Sequence, residues 1–180
     1  MNKWQKISSK LILDTPFFRV RQDKIVLPTN QEKDWLYWDS PDSAMVLGIT
    51  NDKKLVMIKQ YRYLVGREVM EFPSGSLYQD EKPEAGARRE FEEETGYQCG
   101  DLVYLGAYYE TYGQLNRRIH IFYSIVTQKS SQKLDSGKYG YEDIKVVLVD
   151  IKKAEEMAMN NAIDAMGSTL AVLLLLKKLK

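Results

Sequence analysis

Cysteine and histidine are almost missing from this chain: its 180 residues hold one of each, Cys99 and His120. A single cysteine excludes an internal disulfide framework and a thiolate-based zinc site. A single histidine, with no imidazole partner, gives neither a triad nor a metal centre, so His120 is expected to be structural. An excess of charge of either sign is also missing. The 26 Lys and Arg against 25 Asp and Glu leave a net charge of +1 and no reason to expect nucleic acid or an anionic membrane as partner. The apolar run Leu170–Leu176 is far too short to span a bilayer, and Met1–Lys10 is polar with no apolar signal core, so a cytoplasmic protein is expected. There are no internal repeats and no low-complexity tract. An apolar content of 44% with 28% charged residues is that of an ordinary soluble chain able to bury a sizeable core, as one domain or one domain with an added arm.

What is present in excess is local. Four carboxylates fall between Glu90 and Glu94, interrupted only by Phe91. On a helix Glu90, Glu93 and Glu94 share one face at i, i+3 and i+4, where like charges repel. The flanks do predict a helix: Pro83 suits a first turn and Gly96 stands where a C-terminal glycine cap belongs. The cluster therefore lies at the helix end where negative charge is least favoured. Selection for stability alone would remove it; a bound hard cation explains it, since Mg²⁺ is usually held by a few carboxylates together with substrate phosphates. The competing reading is a solvated acidic face, the usual fate of a charge run.

The order of residues decides between these. From Gly75 the chain fits Gly-x5-Glu-x7-Arg-Glu-U-x-Glu-Glu-x-Gly-U, with U a bulky apolar or aromatic residue, through Gly75, Glu81, Arg89, Glu90, Phe91, Glu93, Glu94, Gly96 and Tyr97. This pattern resembles the Nudix box, the signature of hydrolases that cleave nucleoside diphosphates linked to another group. The resemblance implies a loop–helix–loop cradle for Mg²⁺ or Mn²⁺, with Glu90 and Glu94 as principal ligands. Glu93 would help directly or through water, and the backbone carbonyl of Ser74 would be a further ligand. It also implies that Arg89 orients a glutamate and that Glu81 braces the loop.

The remaining periodicities predict an α/β (α+β) chain. Strands are expected at Lys10–Leu13, Phe17–Ile25 and Asp34–Trp38, then at Ala44–Ile49 and Lys54–Gln60 across an Asn51-Asp52 turn. Further strands are expected at Val69–Phe72, Leu102–Tyr109, Arg118–Val126 and Ile144–Val149. Helices are expected at Lys152–Asn160 and from a Ser168 or Thr169 cap to about Leu179. Gln128–Tyr141, rich in Ser, Lys, Gly and Gln, reads as the most flexible stretch.

Three segments resemble the ADP-ribose pyrophosphatase branch of the family: Thr15–Val20 with Leu27-Pro28, Gln60-Tyr61-Arg62 with Glu71–Gly75, and Glu142–Val147. That resemblance implies a mixed sheet sandwiched between helices, a catalytic domain over residues 43–180, and an antiparallel arm over residues 1–42 that crosses to a second subunit of a homodimer. Trp35, Tyr37 and Trp38 are then candidates to stack on a nucleobase, or else core and dimer contacts. Arg62 is the candidate phosphate contact, with a surface salt bridge as the alternative; Glu71 serves the site or pairs with Arg62. Arg67, in an expected loop, is the weaker candidate. By the same resemblance the general base lies on a loop matching Lys138–Asp143, with Glu142 first and Asp143 second, and solvated turn carboxylates as the alternative.

One loop departs from the branch. Where ADP-ribose hydrolases commonly carry a Ser-Pro-Gly-like turn and acidic residues, this chain has Tyr112 in place of the proline and Asn116 and Arg117 in place of the acids. Tyr112 is a candidate to stack on base or sugar, and Arg117 or Arg118 to meet another phosphate. The expected activity is metal-dependent hydrolysis of ADP-ribose or a related nucleoside diphosphate sugar into two phosphomonoesters. The alternatives are a dinucleotide or GDP-sugar substrate, or a non-catalytic nucleotide sensor.

Overall fold

The computed structural model describes residues 3–135 and 141–179. The chain divides into two compact units: Met1–Pro41 with Tyr109–Arg118, and Asp42–Tyr108 with Ile119–Lys180.

In the first unit, β1 (Gln5–Asp14), β2 (Arg19–Val26) and β3 (Glu32–Trp38) form an antiparallel sheet in chain order. The β2–β3 turn closes through Asn30, whose φ of 64° is one an asparagine tolerates. The strands run longer than their apolar alternation suggests, because ladder hydrogen bonding carries β1 through Gln5–Ser9 without burying it. The Tyr109–Arg118 loop is tied to this sheet. The Trp38 N–H donates to the Gln114 carbonyl at 2.8 Å, Asn116 Nδ2 donates to Asp39 at 2.8 Å, and the Ser40 N–H donates to Asn116 Oδ1 at 2.9 Å.

The second unit is built on an eight-stranded mixed sheet. It comprises β4 (Ser43–Ile49), β5 (Lys54–Arg62), β6 (Arg67–Glu71), β7 (Ser74–Ser76), β8 (Tyr97–Cys99), β9 (Val103–Tyr109), β10 (Arg118–Lys129) and β11 (Ile144–Asp150). The central order is β11-β5-β4-β10-β8, with β6 on β5, β7 on β4 and β9 on β10. The β4–β10 pair is parallel, and β5 pairs antiparallel with β4, β6 and β11. Both faces are covered, so the central strands are continuously apolar rather than alternating. Ala44, Val46, Val56 and Phe122 point to one face and pack with Ala87 and Phe91 of α1 (Pro83–Thr95). Met45, Leu47, Leu55, Met57 and Ile121 point to the other, against Ala154 and Ala158 of α2 (Ile151–Met159) and Ala171, Val172 and Leu175 of α3 (Met166–Leu179). This period of two places α1 alone on its face, with β7 leading into it.

Two local expectations change. Helix α3 begins at Met166, so Ser168 is inside it and buried rather than capping it; its hydroxyl accepts the Phe72 N–H at 3.0 Å. Arg67 is not in a loop but opens β6, where it pairs with Asp164.

Candidate active site

Helix α1 starts at Pro83, and its Lys82 N-cap makes no side-chain cap bond. It ends at Gly96, whose φ of 70° is left-handed, with the Gly96 N–H donating to the Glu92 carbonyl. Between these ends the acidic face is ordered by one cation. Arg89 commits all five of its N–H donors: Nε and Nη2 to the two Glu81 carboxylate oxygens at 3.0 and 2.9 Å, and Nη1 to Glu90 at 2.7 Å and Glu93 at 3.3 Å. The fifth goes from Nη2 to the Ser76 carbonyl at 3.1 Å. Its guanidinium lies 3.9 Å from the Tyr78 ring centroid. Glu81 also accepts the Tyr78 N–H at 2.9 Å, so the loop entering the helix is fastened to the helix itself. These hydrogen bonds, with the charges of Glu90 and Glu81, hold Arg89 firmly protonated against the cost of burial.

Among the described residues Glu94 has no such cation. It is 6% exposed, and its Oε2 accepts the Ser74 N–H at 3.0 Å. Burial, then the charges of Glu90 and Glu142, push its pKa to about 9, with Glu71 adding to them and the Ser74 bond opposing. Glu90 is raised in the same sense, chiefly by burial, with Arg89 opposing and Glu93 and Glu142 adding repulsion. Three expected site carboxylates, Glu71, Glu90 and Glu142, therefore all act electrostatically on Glu94, though they come from β6, α1 and the approach to β11.

The donor set suits a hard cation: buried carboxylate oxygens that repel one another, beside the Ser74 backbone. Among the described residues, no three Asp, Glu, His or Cys side chains converge tightly enough to hold a metal ion by themselves. Glu93 is turned partly outward onto Arg89. At Gly75 an added Cβ would fall 2.1–2.3 Å from the Glu90 carboxylate. Gly75→Ala is therefore expected to expel that carboxylate while sparing the fold. Turnover should fall by roughly 10–100-fold, as for other groups that orient ligands, with melting temperature little changed; steady-state kinetics beside thermal unfolding checks this.

Arg62 donates from Nε to Glu71 Oε1 at 2.8 Å, with Nη2 at 2.5 Å, so Glu71 pairs with Arg62, and its charge also acts on the Glu94 carboxylate. Burial raises the Glu71 pKa against the Arg62 charge. The Glu142 carboxylate accepts the Asp135 N–H at 2.8 Å, and the Glu142 N–H donates to the Asp135 carbonyl at 2.9 Å. Asp143 is described as well, whereas Gly137, Lys138 and Gly140 of the expected base loop lie outside the described residues.

Trp35 and Tyr112 belong to the first unit and share an open cleft of about 230 Å³ with Tyr37 and Asn116. Trp35 is packed edge-on against Trp4. Tyr112, 86% exposed, is uncommitted on its outer side. Arg117 donates to Glu110 at 2.6 Å and lies over Trp38, so a local ion pair occupies it. His120 is buried in β10, with Nε2 at 3.0 Å from Asp42 and Nδ1 at 3.4 Å from the Tyr104 hydroxyl.

The model of the Nudix domain matches residues 39–165, and that match spans the whole acidic helix and its loops. The chain belongs to the Nudix family of hydrolases. Residues 4–36 match the nucleoside diphosphate sugar hydrolase N-terminal domain. The chain is 29% identical to a methanol dehydrogenase activator of Bacillus methanolicus over 84% of its own length and 80% of the relative's. It is 34% identical to an ADP-ribose pyrophosphatase of Bacillus subtilis over 64% of this chain and 63% of the relative. A GDP-mannose pyrophosphatase of Citrobacter koseri is 32% identical over 68% of this chain and 65% of its own. The fold matches the crystal structure of an ADP compounds hydrolase with a TM-score of 0.81, covering 99% of this chain and 95% of that one at 14% identity.

Sequence reasoning missed the segment after β10. Gln128–Tyr141 reads as flexible, yet β10 continues to Lys129, and Ser130 and Lys133 are bonded to the end of α1, while residues 136–140 of that stretch lie outside the described residues. Its composition gives no warning, because the partners are backbone carbonyls rather than matching side chains.

Proposed function

We propose that this Nudix hydrolase is a divalent-metal-dependent pyrophosphohydrolase that splits the diphosphate of ADP-ribose or a related nucleoside diphosphate sugar into two phosphomonoesters. The observation that carries the reading is Glu94: a buried carboxylate raised to about 9, beside Glu90 and Glu142, with no ion-pair partner among the described residues. Glu90, Glu94 and the Ser74 carbonyl would hold Mg²⁺ or Mn²⁺, with Glu93 assisting. When bound, the ion supplies neutralisation of phosphoryl charge and a lowered pKa for the attacking water.

The chain's own residues do the rest. Arg89 fixes Glu90, and through Glu81 it fixes the loop that ends in the helix. Arg62, held by Glu71 through Nε and Nη2, would meet a phosphate oxygen with its remaining donors. Glu142 takes the proton of the attacking water. The new P–O bond forms as the bond to the bridging oxygen breaks, and that oxygen leaves on the second phosphate. Tyr112 and Trp35 offer aromatic faces for a base or sugar.

The GDP-mannose pyrophosphatase relative and the Tyr112–Arg117 loop favour a second reading, in which the sugar nucleotide is not ADP-ribose. A panel of ADP-ribose, GDP-mannose, other nucleotide sugars and dinucleotides, with chromatographic identification of products, separates the readings. A nucleoside monophosphate plus a sugar phosphate is expected from one of the sugars. No turnover of any compound with Mg²⁺ or Mn²⁺ would leave only the sensor reading.

The exposed apolar residues Trp4, Ile7, Leu11 and Leu13 on and beside β1 support a homodimer formed through the arm. Sedimentation is expected to give twice the chain mass; a monomer at micromolar concentration contradicts it.

A further inference from the structure

The last carbonyls of a helix have no partner within it and must find one elsewhere. In α1 these are the carbonyls beside the Glu90–Glu94 cluster, and one short segment answers two of them and the cap carbonyl of Gly96 as well. The Lys133 N–H donates to the Glu93 carbonyl at 2.8 Å, Gln132 Nε2 donates to the Glu94 carbonyl at 2.7 Å, and the Ser130 N–H and hydroxyl donate to the Gly96 carbonyl. The segment crosses so closely that a Cβ at Gly96 would fall 2.5 Å from the Ser130 carbonyl oxygen and 3.1 Å from the Gln132 nitrogen. Gly96 is thus required twice over, for its left-handed backbone and for this contact.

The same segment reaches the other half of the site. Gln132 Nε2 also donates to the Ile144 carbonyl at 3.2 Å, at the first residue of β11, and the Asp135 N–H donates to the Glu142 carboxylate at 2.8 Å. One amide group therefore bridges the helix carrying Glu90 and Glu94 to the strand that Glu142 precedes.

We propose that Ser130–Asp135 is a strap that sets Glu142 against the α1 carboxylates, with Gln132 as its positioning residue. This rests on the reading of Glu142 as general base. In this role Gln132 acts through the placement of Glu142, its amide being engaged by the Glu94 and Ile144 carbonyls. The N–H groups of the strap also offset the partial negative charge of the α1 C-terminus, where the acidic cluster is least favoured.

The test is a double-mutant cycle between Gln132→Met, which keeps size and removes the donor, and Glu142→Gln, with ADP-ribose and Mg²⁺. Gln132→Met is expected to lower kcat by roughly ten- to a hundredfold, the cost of a small misplacement of a catalytic group, with KM little changed. In the Glu142→Gln background it should lower kcat no further. Gln132→Lys, which keeps an N–H donor at similar reach, should recover most of the rate. An unchanged kcat in Gln132→Met, or the same fold loss in both backgrounds, overturns the strap. Full activity in Glu142→Gln alone overturns the base assignment and the proposal with it. Amide exchange of the unaltered protein gives a readout independent of turnover. The Ser130 and Lys133 amides should be protected like those of α1, and free exchange there overturns the strap even if no variant folds.

Discussion

Glu94→Gln will abolish turnover and yet stabilise the metal-free protein at alkaline pH. The loss should be about 10³-fold or more if Glu94 holds the ion as proposed, since removing a metal ligand forfeits several kcal/mol of charge stabilisation in the transition state. The gain in stability follows from the buried carboxyl. Its pKa is about 9 in the folded chain, against an ordinary value of 4.5. Because the folded value is raised, the stabilising contribution is complete below pH 4.5 and is lost as pH rises toward 9. Glutamine cannot ionise and can still accept the Ser74 N–H. In chelator at pH 8 the variant should therefore melt a few degrees above the unaltered chain, about 1–3 kcal/mol for relief of a poorly compensated buried group. At pH 5 the two should coincide. Added Mg²⁺ should reverse the order, raising only the chain that binds it. Thermal unfolding across pH with and without chelator measures this, and identical curves at every pH would remove the electrostatic basis of the site.

Glu142→Gln should slow kcat by roughly 10²–10⁴-fold, the usual contribution of a general base, with KM changed only a few-fold. Two observations support the proposed role: the Glu142 charge acts on Glu90 and Glu94, and the Asp135 N–H engages one of its oxygens. Asp143→Asn should have a much smaller effect. The fallback carboxylates are less suited, because Glu93 is drawn to Arg89 and Glu110 is bound to Arg117. Single-turnover kinetics separates the chemical step from binding. A Glu142→Gln protein with unaltered kcat moves the base to one of those two.

The parts of this protein legible in the sequence are those fixed by periodicity or by a spaced motif. Helix α1 and its Gly96 cap follow from Pro83, Gly96 and the box register, and the two-faced sheet follows from apolar runs such as Ala44–Ile49. What escaped depends on contacts between distant segments. The β7 strand at Ser74–Ser76 is too short to show a pattern and exists because β4 pairs with it. Ser168 reads as a cap because serine favours that place, but its hydroxyl instead holds the Phe72 N–H. Gln132 lies in a stretch of polar composition that resembles a loose loop, and its partners are carbonyls available to any residue. Arg62 illustrates the opposite case: sequence offered phosphate contact or salt bridge as exclusive alternatives, while a guanidinium has enough donors for both.

The most direct test of the acidic run as a metal cradle for diphosphate hydrolysis is product formation from ADP-ribose by the purified chain, in Mg²⁺ and in chelator, beside Glu94→Gln. AMP and ribose phosphate are expected in Mg²⁺ alone and from the unaltered protein alone. Equal product in chelator, or undiminished product from Glu94→Gln, would contradict the account.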